Sequence, residues 1–168
     1  IYLGAKCNFC ISTNMGFDDL PYIFNKPIGL MGVPLGELRA HSKRFYLITQ
    51  KHYDIKNKKN LSISEIFRRG VGFALDKKIF VEKKIKLIDY SPDEIKRFCL
   101  EACDFFENKK VHDSESYELQ KKFRSIFASN IKKTDYKKEV HKPRKTLHGE
   151  IKSNFYNEFL KQNPDWLN

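Results

Sequence analysis

No run of this sequence approaches eighteen consecutive apolar residues, which leaves no candidate for a membrane-spanning helix. The chain begins at Ile1 with no initiator methionine, no basic leader and no apolar signal core. We expect a fragment entered partway through a longer protein, with residues 1–5 as the tail of a helix. Cysteine is sparse, at four residues: Cys7, Cys10, Cys99 and Cys103. The spacing invites a zinc reading, but residues three apart on a strand point to opposite faces, and the second pair lies one helical turn apart on a face expected to be buried. Both pairs read as reduced structural thiols, and no metal is assigned. A glycine-rich dinucleotide fingerprint is also lacking. Gly70-Val71-Gly72 has no apolar strand before it and no third glycine at the right distance.

What is present is enough for a folded domain: 168 residues, 40% of them apolar and 14% aromatic. The net charge of +11, from 32 basic against 21 acidic residues, favours polyanions such as nucleic acid, acidic lipid headgroups or nucleotide diphosphates. The lysines are scattered, however, and not gathered on one helical face with interleaved aromatics. Lys, Asn, Ile and Phe enriched together are what an AT-rich genome writes, so no specific nucleic-acid partner is expected.

The stretch 9–33 organises the chain. Residues 9–11 are apolar, and Ser12-Thr13-Asn14-Met15-Gly16 breaks the run with small polar residues closing on a glycine, as a strand delivering its end into a loop. Asp18 and Asp19 suit a first helical turn, with Leu20, Ile23 and Phe24 as its apolar face. Asn25-Lys26-Pro27 stops the helix, and 28–31 reads as the next buried strand. In a parallel sheet, ligands bind beyond the carboxyl ends of the strands, where a loop entering a helix offers unpaired NH groups to an anion. A phosphate would therefore go to this loop.

The segments Ile11-Ser12-Thr13-Asn14-Met15-Gly16-Phe17, Leu20-Pro21, Asn25-Lys26-Pro27-Ile28 and Val33-Pro34-Leu35 resemble the nucleotide-sugar-binding half of a two-domain, GT-B type glycosyltransferase. They are most similar to a glycosyltransferase family found in bacterial surface-polysaccharide gene sets. The resemblance implies an α/β, Rossmann-like parallel sheet with flanking helices, in which Ser12, Thr13, Asn14, Met15, Gly16 and Phe17 bind the donor phosphates. Met15 stands where such loops commonly carry serine, so no hydroxyl contact is expected there.

Beyond this unit, 32–60 reads as a long polar loop with one β-like run at 45–48. Long ordered loops are usually functional, which singles out Arg39, His41, Lys51 and His52 for leaving-group contacts. Asp18, Arg39 and Lys51 are the candidate donor or leaving-group contacts, Lys51 loosely matching a lysine that follows an apolar run in the resembled family. Ser62 with Glu65 forms a capping box for a helix that Gly70 ends. Ile85–Ile88 is a short strand, and Ser91-Pro92-Asp93-Glu94 caps a helix running to about residue 107 with Ile95, Phe98, Cys99, Ala102, Phe105 and Phe106 inward. A further amphipathic helix covers 115–129, with Leu119, Phe123, Ile126 and Phe127 inward. The basic stretch 131–145 is a solvated connector or, on the sharper reading, a foot on anionic membrane or acceptor lipid. In the tail, Ile151, Phe155, Phe159 and Leu160 are predicted to share one helical face.

The sequence thus predicts a nucleotide-sugar-binding α/β domain over 1–110 and a helical extension over 111–168 packing back on it. The expected activity is sugar transfer from a nucleotide diphosphate donor to a glycan or lipid-linked glycan acceptor, in the cytoplasm or peripheral at the inner face of the membrane. No cofactor beyond the donor is implied, and no general base is assigned, since it would ordinarily lie in the other half. Two rivals stand beside this: a sugar-nucleotide epimerase, for which only Asp18 and Asp19 lie near as carboxylates, and a non-catalytic basic module binding nucleic acid.

Overall fold

Two fully buried strands form the centre of the molecule. In the computed structural model, which describes residues 1–13, 16–32, 34–109, 113–133 and 150–168, every residue of Ile28–Leu30 (β2) and Phe45–Leu47 (β3) is buried. Such runs without alternation belong to parallel strands covered on both faces. Cys10–Ser12 (β1) pairs with β2, β2 with β3, and β3 with Asn154–Phe155 (β7), all in parallel, giving the order β1-β2-β3-β7. Cys10 lies beside Ile28, Ile28 beside Phe45, and Leu47 beside Phe155.

Alternation along β3 identifies the covering layers. Tyr46 stacks on Phe98 and Phe105, with ring centroids 5.9 and 4.8 Å away, so the helix Pro92–Phe106 (α5) covers one face. Phe45 points the other way and stacks on Tyr22 at 5.7 Å, which puts the short helix Asp19–Ile23 (α2) on the second face. Phe155, in register with Leu47, meets Phe123 at 4.9 Å, so the helix Ser114–Lys133 (α6) shares that second face. The fold is a mixed α/β arrangement with a four-stranded parallel sheet between helices. Gly29 lets the layers close, because a Cβ there would lie 2.6 Å from Cδ1 of Ile11 and 3.4 Å from the Phe98 ring.

Several expectations are met. A helix, Tyr2–Lys6 (α1), opens the chain, and the unit of strand, loop, helix and strand forms with its two strands parallel. The Ser62 and Ser91 capping boxes are both complete, the first starting the helix Ile63–Arg68 (α3), and Gly70 follows with φ of 66°. Helix α6 buries Phe123 and Phe127 as predicted.

Other expectations are corrected. The segment 32–60 is not a long loop: besides β3 it holds a 3-10 turn at Leu35–Glu37, a strand Lys51–Asp54 (β4) and a strand Lys59–Asn60 (β5). On β4 the buried positions are His52 and Asp54, so the alternation is real but carried by polar residues. Ile85–Ile88 (β6) joins β4 and β5 in a separate antiparallel sheet, preceded by a helix Lys77–Glu82 (α4) that hydropathy did not mark. On α2, Ile23 and Phe24 are exposed; the helix is under two turns long and seats instead through buried Pro21, with Gly4 of α1 against Leu20. In the tail, Ile151, Phe155, Phe159 and Leu160 are all buried but do not share a helix, since Phe155 is on β7 and only the latter two lie on the helix Asn157–Gln162 (α7). The parallel sheet therefore takes strands from both sides of residue 110. Of the basic stretch, 131–133 end α6 and the remainder lies outside the described residues.

Candidate functional site

Because β1, β2 and β3 are parallel and in register, the residues that leave their carboxyl ends emerge side by side. Thr13 follows β1, Gly32 comes two residues after β2, and Thr49 two after β3. These three line one cavity of about 300 Å³, which is also lined by His52 of β4, Phe80 of α4 and Leu87 of β6. Gly32 holds φ of 68°, a left-handed conformation that a side chain would strain, and Tyr90 packs beneath it. Among the described residues the strand order shows no reversal, so the position of this cavity follows from the strand ends alone.

The loop after β1 is clamped at its base. Ser12 donates a hydrogen bond of 3.1 Å to Oδ1 of Asp18, a fully buried carboxylate whose Oδ2 lies 3.2 Å from an Arg39 guanidinium nitrogen, outside hydrogen-bond alignment. Arg39 also pairs with Asp19 and lies 5.4 Å from the centroid of the Tyr22 ring. The Tyr22 hydroxyl in turn lies 3.0 Å from Nε2 of His41. Gly16 has φ of 84°, and a Cβ there would meet nothing within 4 Å; the turn conformation, not crowding, asks for glycine. Phe17 is exposed. Asn14 and Met15 lie outside the described residues.

The candidates from the sequence therefore divide. Thr13 lines the cavity, while Ser12, Asp18 and Arg39 form the clamp beneath the loop. Lys51 goes elsewhere: it and His52 alternate on β4, so the lysine turns to the opposite side, 3.4 Å from Glu94 and 5.8 Å from the centre of the Phe159 ring. There it borders a larger cavity, about 710 Å³, between α3 and the carboxyl-terminal segment, where Lys59 and Arg68 are both paired with Glu65. We place the candidate site in the smaller cavity because, unlike the larger one, it lies at the carboxyl ends of β1, β2 and β3. Gly32 and Thr49 were missed from the sequence, although Thr49 ends an apolar run as Ser12, beside Thr13, does.

His52 is the buried titratable group of this cavity, only 2% exposed. Burial lowers its pKa to about 4, so the ring is neutral at physiological pH. Its Nδ1 lies 3.0 Å from the Gln50 carbonyl oxygen, which can only accept; Nδ1 therefore carries the proton. Burial also holds the Tyr90 hydroxyl protonated, its pKa raised, with the Gly32 amide close by but without a well-formed hydrogen bond. Among the described residues no group of three or more His, Cys, Asp or Glu side chains is placed to hold a metal ion. No family model, no curated protein and no solved structure matches the chain.

A cavity with this lining can offer hydroxyls from Thr13 and Thr49, backbone around Gly32, and one apolar wall. That suits a ligand with an anionic or polyhydroxylated end and a flatter apolar part.

Proposed function

We propose that this chain is the donor-binding, Rossmann-like part of a GT-B type glycosyltransferase, moving a sugar from a nucleotide diphosphate to a glycan acceptor. One observation carries the reading: Thr13, Gly32 and Thr49, each leaving the carboxyl end of a neighbouring parallel strand, meet at one cavity. In that chemistry the diphosphate leaves with growing negative charge, which fixed NH and OH dipoles can stabilise. Thr13 and the Gly16 turn would face the phosphates, and Asp18 with Arg39 would hold the loop in shape without touching the donor. Lys51, paired with Glu94 on the other side of β4, is not given a role at the diphosphate. At about 300 Å³ the cavity suits a diphosphate with one attached ring, leaving the rest of the donor to a cleft with another domain.

The test is a titration of the isotope-labelled chain with uridine, guanosine, cytidine and adenosine diphosphates, followed by amide NMR. At least one should bind weakly and shift the amides of Thr13, Gly32 and Thr49 together, and Thr49→Val should weaken it. If none of the four moves those amides at the highest soluble concentration, the proposed donor site is wrong.

A further inference from the structure

We propose that Nε2 of His52 is a hydrogen-bond acceptor that reads a hydroxyl of the ligand, so that the cavity at the ends of β1, β2 and β3 takes a phosphate ester of a polyhydroxylated ring in preference to bare phosphate. The inference rests on the donor-site reading above and assigns a residue that determines specificity within it.

Geometry carries the argument. The His52 ring is immobilised: it is buried on β4, packs 5.9 Å from the Phe80 ring, and is tied through Nδ1 to the Gln50 carbonyl. Since that bond places the proton on Nδ1, a neutral ring leaves Nε2 with a bare lone pair. Among the described residues the Gln50 carbonyl is the one hydrogen-bond partner of this imidazole. His52 lines the cavity, and with Nδ1 bonded to Gln50 the second nitrogen is the polar side-chain atom it has left for a ligand.

A bare acceptor discriminates by chemistry. The ionised phosphate oxygens are acceptors and gain nothing from it, and those are the only kind left at a pH well above the last phosphate pKa, whereas a ring hydroxyl keeps its proton and can donate. Protonating the imidazole to suit a phosphate would require charging a buried group, which burial opposes. The rest of the lining fits a divided ligand: Thr13 and the Gly32 backbone at the strand ends for the anion, and His52 of the second sheet with Phe80 and Leu87 for the ring. The cavity volume admits one ring, so either the ribose or the transferred sugar would be the one that His52 reads.

The experiment uses this chain with nitrogen-15 in its histidines, so that long-range proton–nitrogen spectra report the tautomer and the hydrogen bonding of each ring nitrogen. Without ligand, His52 should show a protonated Nδ1 and a bare Nε2. Uridine diphosphate and guanosine diphosphate supply a ribose, glucose 1-phosphate supplies a hexose without a nucleoside, and pyrophosphate supplies neither. A ring-bearing ligand should move the Nε2 resonance, pyrophosphate should leave it in place, and which ring-bearing ligand acts says which ring is read. His52→Phe keeps the aromatic packing and should weaken the active ligand roughly tenfold, with pyrophosphate unaffected. His52→Gln, which can present an oxygen acceptor from nearly the same place, should recover part of the loss.

A proton on Nε2, or unchanged affinity in His52→Phe, overturns the assignment even if nucleoside diphosphates bind, and the donor-site reading then stands without it. Glucose 1-phosphate moving Nε2 while no nucleoside diphosphate binds supports His52 as the reader and sinks the donor reading. Binding of none of these ligands overturns both.

Discussion

The neutral imidazole of His52 contributes to the stability of the fold as well as to the cavity. Its pKa is about 4 in the folded protein against 6.5 for an ordinary histidine, so the native state resists a proton that the unfolded chain accepts. The unfolded state binds more protons between these values, and stability rises with pH there. The contribution is fully present above about pH 6.5 and is lost as pH falls towards 4, amounting to about 3 kcal/mol over the whole window. His41, whose pKa burial also lowers, acts in the same direction but is more exposed. Carboxylates such as Glu65 and Glu94, held low by hydrogen bonds to Lys59 and to the Ser91 backbone, lose their stabilisation only below the ordinary carboxylate range. Urea unfolding at pH 7.5 and pH 5 should therefore show a loss of about 2 kcal/mol in the wild type and a much smaller one in His52→Phe. Equal losses in the two proteins would mean that the ring is not kept neutral.

Helix α5 holds the sheet closed from one side, with Phe98 over Gly29 and Phe105 on Tyr46. Its start is a complete capping box: Ser91 Oγ accepts from the Glu94 amide at 3.2 Å, and the Glu94 carboxylate accepts from the Ser91 amide at 2.9 Å. Ser91 is exposed, so Ser91→Ala removes the cap with little loss of packing, and denaturant unfolding should report about 1 kcal/mol of destabilisation. A value near zero would place the start of α5 under the control of its buried face alone. Caps were legible in the sequence because they are local: two residues three apart define each one. Strand β4 was hidden because its inward residues, His52 and Asp54, are polar. Asp54 is satisfied there by the amides of Lys56 and Asn57 and by Arg69, none of which hydropathy can register. The site was half legible for a related reason. The loop at Thr13 could be seen within a dozen residues, but its meeting with Gly32 and Thr49 depends on strand register, a long-range property that no local pattern carries.

At the scale of the whole molecule, the carboxyl-terminal segment completes the sheet. Phe155 packs on Phe123, Phe159 and Trp166, and Gln120 bonds both the amide and the carbonyl of Phe155, securing β7 from α6. A chain cut after residue 110 keeps three of the four parallel strands but loses β7, the strand that pairs with the outer edge of β3. It should show no cooperative unfolding transition and poor dispersion in its amide spectrum; a sharp transition in that fragment would establish the first 110 residues as an independent unit. The two parts meet through buried rings, Phe98 on Tyr156 and Phe67 on Phe127, and through one buried polar contact: the Asn157 amide donates to the Glu101 carboxylate at 2.8 Å and lies 3.2 Å from the Tyr46 hydroxyl, 111 positions away in sequence. For a nascent chain leaving the ribosome amino end first, the partner of β3 emerges on the order of ten seconds after β3 itself. Over that interval an unpaired strand edge beside exposed aromatic rings is open to neighbouring polypeptides. Strand β7, the last of the described strands to be synthesised, is thus the one that covers this edge, and holdase chaperones would be needed most before it arrives.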